Sequence, residues 1–130
     1  MTLNDQLANA LSIILNTELT GKKECLIRPS SRLLLEVFKV MKEHGYLREF
    51  RKSDDSKGSS VHLQMTGAIN KCGVIKPRYN VKIGGIEKFE KRYLPAKDVG
   101  MLVISTPFGI MTHYDAKQKN TGGKLIAYCY

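Results

Sequence analysis

Apolar residues recur at Leu3, Leu7, Leu11, Ile14 and Leu15, with Ala8 and Ala10 between them, which is the spacing of one helix face. The pattern predicts an amphipathic helix of about three turns, capped by Thr2 or Asn4, with its apolar stripe turned to a core. Glu24 to Arg28 reads as a short strand, closed by Pro29, which has no amide hydrogen to give a ladder. Leu33, Leu34, Val37, Phe38, Val40 and Met41 mark a second helix, with Ser30 and Ser31 as N-cap candidates and Gly45 where a left-handed residue ends it. Tyr46 to Phe50 is a strand, Ser53 to Gly58 a polar turn, and Val61, Leu63 and Met65 alternate with His62 and Gln64 on the returning strand, Ser60 to Met65. Helix, strand, helix, strand, strand makes an α+β lobe over 1–66, with both helices on one face of a small sheet.

Thr66 to Asn70 is the junction, and a second, mostly β lobe with a short helix spans 67–130. Val74, Ile75, Val81 and Ile83 are spaced around Pro77 and Tyr79, and Gly84-Gly85 breaks the chain before a charged-faced helix, Ile86 to Leu94. Met101 to Ile104 is an apolar run of the kind that fills a buried strand, and it stops at Ser105 and Thr106. Pro107 and Gly109 then turn the chain instead of continuing the ladder, and Thr112 with Asp115 caps a short helical turn. The expected product is a tight loop that displays Ser105 and Thr106. Lys124 to Tyr130 closes the chain as a strand apolar on both sides, hence central or covered on both faces.

Charge narrows the function. The chain carries 21 Lys and Arg against 12 Asp and Glu, a net of +9. Residues 1–65 hold ten basic and eight acidic groups (+2), and residues 66–130 hold eleven and four (+7). A compact basic half suits a polyanion, nucleic acid foremost, although anionic membranes and acidic proteins would also attract it. Within that half Lys71, Lys76, Arg78 and Lys82 surround Tyr79, whose ring suits either packing between strands or stacking on a base, with Arg78 as an exposed RNA contact. Arg28-Pro29-Ser30-Ser31-Arg32 sets two arginines and two hydroxyls beside a helix N-terminus, which serves as a simple cap, a phosphate contact or both. The apolar runs are too short to span a membrane, and Met1 to Thr20 lacks the build of a signal peptide.

Catalytic material is thin. Cys25, Cys72 and Cys129 are widely separated and form no Cys-x-x-Cys pair, so reduced core or half-buried thiols are expected, with no metal site built from them and His44, His62 or His113. Cys72 or Ser105 as nucleophile, His113 as base and Thr121-Gly122-Gly123-Lys124 as a phosphate cradle meet no known constraint. There is no Gly-x-Ser-x-Gly elbow, no Walker spacing and no evident acid to orient His113. The chain reads as a non-enzyme without a cofactor.

Ile104-Ser105-Thr106-x-x-Gly109-Ile110-Met111-Thr112, followed by Asp115-Ala116-Lys117, then Gly122-Gly123-Lys124 and a terminal apolar-aromatic strand, resembles the signature of the S-eight family of small-subunit ribosomal proteins. Arg28 to Arg32, Lys42 to Phe50, and Asp5-x-x-Ala8 with Asn16 behind it match further family positions, and Lys71 to Val81 is similar to the eukaryotic and archaeal branch, the eukaryotic S-fifteen-A type included. The resemblance implies a non-catalytic protein of the cytosolic small ribosomal subunit. It would bind an irregular helix of the central domain of the small-subunit rRNA and support assembly and translation beside neighbouring small-subunit proteins, with no membrane and no small-molecule substrate. It further implies that Ser105 and Thr106 enter a minor groove and bond bases or 2'-hydroxyls, with Gly109 shaping the loop and Gly122, Gly123 and Lys124 lining the approach. Two departures stand out: Pro107 replaces a third hydroxyl residue, and Lys124 stands where bacterial members often carry an acid. The rival reading is a free basic RNA-binding regulator outside the ribosome.

Overall fold

A computed structural model describes residues 6–28, 31–55, 58–75, 78–96 and 99–130. The chain divides into two compact units, Met1–Asn70 and Lys71–Tyr130. The first runs α1 (Gln6–Leu19), β1 (Glu24–Ile27), α2 (Arg32–Glu43), β2 (Leu47–Asp55) and β3 (Gly58–Met65). Leu7, Ala10, Leu11, Ile14 and Thr17 are the buried face of α1, which runs a full turn beyond Leu15. The Thr17 hydroxyl donates to Ile13 O (2.8 Å), and the Gly21 and Lys22 amides close the helix onto Glu18 O and Thr17 O. That pattern, with Gly21 at φ +77°, is the paired 5→2 and 6→1 closure that a left-handed residue permits. Gly45 (φ +82°) ends α2 the same way. The cap expected from Thr2 or Asn4 lies outside the described residues.

The strand order is β1-β3-β2, all antiparallel. Val61, Leu63 and Met65 of β3 join Leu34, Val37, Phe38 and Met41 of α2 in being buried, while Glu24, Leu26 and Arg51 alternate outward. The predicted turn at Ser53–Gly58 is corrected in part: Ser53, Asp54 and Asp55 are ladder residues facing Ser60, Ser59 and Gly58. Backbone pairing extends past the apolar core because its hydrogen bonds need no buried side chains.

The second unit holds β4 (Cys72–Val74), β5 (Asn80–Val81), a 3-10 turn (Ile83–Gly85), α3 (Ile86–Tyr93), β6 (Met101–Thr106), β7 (Gly109–Thr112), α4 (His113–Gln118) and β8 (Gly123–Cys129). The sheet order is β4-β8-β6-β7, with β5 also paired to β8. As expected, β8 is central, and Leu125, Ile126 and Ala127 are buried in succession. Ile75, Val81, Ile86, Leu102, Ile104 and Leu125 form the heart of the core. Cys72 faces Cys129 across the β4–β8 ladder, both buried, and Cys25 is half-buried, in keeping with thiols of a core. The segment after Pro107 departs from expectation: Gly109–Thr112 continues the ladder as β7, with Thr106 opposite Gly109 and Val103 opposite Thr112. Four residues are too few to show a period, so the strand was hidden behind its own turn signal.

Candidate nucleic-acid interface

The second unit's sheet ends in a row of three exposed polar side chains. Asn80 on β5 pairs with Lys124 on β8, and Lys124 pairs with Ser105 on β6. Cross-strand partners share a face, so amide, ammonium and hydroxyl stand side by side. The β6–β8 register shifts by one residue between Val103 and Ile104, leaving Ile126 extra on β8. Such a bulge re-aims a strand end. Here Ile104 and Leu125 point to the core while Ser105 and Lys124 are exposed. A shallow cleft of about 320 Å3 runs along the row, bounded by Lys82, Pro107 and Gly123 as well.

The two hydroxyls differ. Ser105 is exposed, but Thr106 is buried, which corrects the expectation that the loop displays both. Thr106 Oγ1 donates to Gly109 O (2.8 Å) and accepts from the Phe108 amide (3.1 Å). Its hydroxyl therefore stitches the hairpin from within. Pro107 supplies the first corner and Gly109, at φ +120°, returns the chain to β7.

Gly122 and Gly123 are needed for closeness. A Cβ on Gly123 would sit well inside van der Waals contact with the Ser105 carbonyl, and one on Gly122 would do the same to the Val81 carbonyl. Glycine lets β8 enter between β5 and β6, and the cleft exists because it does. Lys124 follows at the rim.

Of the other predicted residues, Lys71 and Arg78 are exposed on the second unit. Tyr79 settles as packing: its ring lies 5.2 Å from Phe89, with the Arg92 guanidinium 5.7 Å away over it. On the first unit Ser31 Oγ caps α2 by accepting from the Leu34 amide (3.2 Å), Arg28 is exposed, and the Arg32 side chain is 93% exposed, 3.7 Å from Glu36. Ser30 and Lys76 lie outside the described residues. Sequence reasoning missed Asn80, which nothing but the β5–β8 register brings beside Lys124. It also missed Arg48, which borders a cleft of about 520 Å3 on the first unit with Lys22 and Lys23.

Charge is distributed to match. Among the described residues no carboxylate pairs with Lys71, Arg78, Lys82 or Lys124. One of the unit's acids turns inward: Glu90 of α3 bonds Lys117 of α4 and stands 3.4 Å from Nε2 of the buried His113. His113 Nδ1 accepts the Leu102 amide (3.0 Å), so that nitrogen carries no proton. The expectation that no acid orients His113 is thus corrected, since Glu90 lies too far away in sequence to be read as its partner. The arrangement is still a strut rather than a catalytic base, because the ring is 1% exposed and Leu102 lies three residues from Ser105, about 10 Å along a strand. Among the described residues no helix is long and apolar enough to cross a membrane. Residues 5–130 match the family model described as Ribosomal protein S8, and a match over nearly the whole length means that the chain belongs to that family.

Proposed function

We propose that this protein reads an irregular helix in the central domain of the small-subunit rRNA with the Ser105 edge of its second unit. It does so in a cytosolic ribosome of the eukaryotic or archaeal branch, supporting subunit assembly and translation. The S8 family consists of structural RNA-binding components of the small ribosomal subunit, not enzymes. The observation that carries the reading further is the Asn80–Lys124–Ser105 row along a shallow cleft. The A-form major groove is too deep and narrow for side chains, which leaves the shallow minor groove, its 2'-hydroxyls and unstacked bases. A hydroxyl and an amide on a rigid sheet end suit those targets, and the ammoniums of Lys82 and Lys124 suit the flanking phosphates.

In this reading Ser105 makes the contact, Thr106 and Gly109 hold the hairpin that carries it, and Gly122 and Gly123 line the approach by letting β8 pack close to β5 and β6. Lys71, Lys76 and Arg78 extend the basic field on the same unit. Arg28, Ser30, Ser31 and Arg32, with Lys22, Lys23 and Arg48, offer a separate set of phosphate contacts on the first unit.

A salt titration of affinity tests this, comparing a central-domain rRNA fragment with an unrelated duplex of equal length. The expected preference is about a thousandfold or more, with a shallower salt slope on the cognate RNA. Equal affinities with equally steep slopes would mean that charge alone is read. Sedimentation with the small subunit separates a ribosomal component from a free regulator, which would stay at the top of the gradient.

A further inference from the structure

Phe108 stands on the tip of the β6–β7 hairpin with 66% of its surface exposed, the one aromatic among the exposed large hydrophobic residues described. The tip is also stiff: Pro107 fixes the corner, and the Thr106 hydroxyl binds the Phe108 amide and the Gly109 carbonyl together. Lys119 at the end of α4 holds its ammonium 5.7 Å from the ring centroid. Pro107, next to Phe108, already borders the cleft occupied by Ser105 and Lys124. The ring is therefore a preorganised apolar plate beside hydrogen-bonding and cationic groups.

We propose that Phe108 is a stacking platform for one unpaired base of the RNA that the Ser105 edge engages. The occupant follows from the surroundings. It has a flat π-face to cover the ring, it carries negative charge to match Lys119, Lys124 and Lys82, and it lies next to groups that bond hydroxyls. An RNA nucleotide has all three, whereas an apolar protein segment satisfies only the first. Stacking is sequence-tolerant, so Phe108 fixes where the RNA helix must offer a loosened base, not which base it is. A distorted helix is the kind that can offer one.

This inference rests on the rRNA reading of the Ser105 edge, and the experiment keeps the two apart. The chain contains no Trp, so Phe108→Trp introduces a single indole that reports on its own stacking. Affinities of the parent, Phe108→Leu and Phe108→Trp are measured on the central-domain fragment and on an unrelated duplex. Phe108→Leu should bind the fragment about five- to a hundredfold more weakly, with an unchanged salt slope because no charge is lost. Phe108→Trp should bind within about twofold of the parent, its emission quenched on the fragment and not on the duplex. Unaltered affinity of Phe108→Leu overturns the stacking role and leaves the Ser105 reading standing; it is also the outcome if a neighbouring protein covers the ring. An equal loss on both RNAs, or a bound but unquenched Phe108→Trp, overturns it as well. A parent without preference for the fragment overturns the rRNA reading first, and this inference with it.

Discussion

The two units meet the same requirement, a small antiparallel sheet carrying helices and basic surface, and place several of their charges differently. The first pairs them on its surface: Arg32 with Glu36, Lys42 with Glu49, and His62 beside Glu24. The second folds one of its acids inward, Glu90 onto His113 and Lys117, and leaves Lys82 and Lys124 without a described carboxylate beside the Asn80–Lys124–Ser105 row. Surface pairs are worth little and shield cations from an outside partner, while an inward acid is costly to remove once its partners are buried with it, and leaves outward cations available. Turning Glu90 inward thus takes one carboxylate away from the face that carries Lys82 and Lys124.

The largest expected effect comes from breaking that inward arrangement. Glu90→Ala removes the partner of a buried imidazole and of Lys117, and should destabilise the second unit by about 2–3 kcal/mol. Glu36→Ala, which cuts an exposed pair on the first unit, should cost less than about 1 kcal/mol. Urea denaturation gives the totals, and amide exchange tells whether the Glu90 loss is confined to 71–130. Equal costs would erase the distinction between the two ways of placing acids.

Next comes the glycine pair. Gly123→Ala forces a methyl against the Ser105 carbonyl and should cost about 1–3 kcal/mol, as overpacking does. It should also weaken rRNA binding, because Ser105 must move. Gly84→Ala meets open space within 4 Å and should leave stability within about half a kcal/mol of the parent. A Gly123→Ala protein with parental stability and affinity would show that the close approach of β8 to β6 does not position the cleft.

What the sequence disclosed follows from the range over which each signal acts. The helices were legible because their periods are local, and β8 because its doubly apolar run requires a central place. The turn at Pro107 was legible for the same reason. Asn80 and Glu90 were not, since their roles are made by β5 pairing with β8 and by α3 meeting α4, contacts that span 44 and 27 residues of chain. Thr106 was misjudged because a hydroxyl beside a turn reads the same whether it faces solvent or the hairpin's own amides; only the Gly109 pairing decides it. The site was readable as a neighbourhood and not as a set of directions.

The two neighbouring hydroxyls sharpen this further. Ser105→Ala should weaken rRNA binding by about 1 kcal/mol and leave stability unchanged, as loss of one hydrogen bond to a partner does. Thr106→Ala should lower stability by about 1 kcal/mol, since the Phe108 amide and the Gly109 carbonyl lose their link. Paired melting and binding curves check both. Should Thr106→Ala weaken binding without altering the melting point, the inward hydroxyl is the reader and the assignments exchange.

The smallest effect belongs to the surface pairing of the first unit. Glu49 is held below the usual carboxylate range by the hydrogen bond from Lys42 (2.8 Å), by the Phe50 amide (3.2 Å) and by the charge on Lys42. Its folded value lies below the unfolded one, so its contribution is complete above about pH 4.3 and fades as acid carries the solution down through the lower folded value. The carboxylate is exposed, which keeps that contribution slight and sensitive to salt. Lys42→Met should move the Glu49 titration back toward the ordinary range, followed by NMR on its carboxyl carbon, and should leave the rRNA affinity untouched because Lys42 already has a partner. If affinity falls as much as it does for Lys124→Met, surface pairing does not withhold a cation from RNA, and the contrast between the units reduces to their net charges.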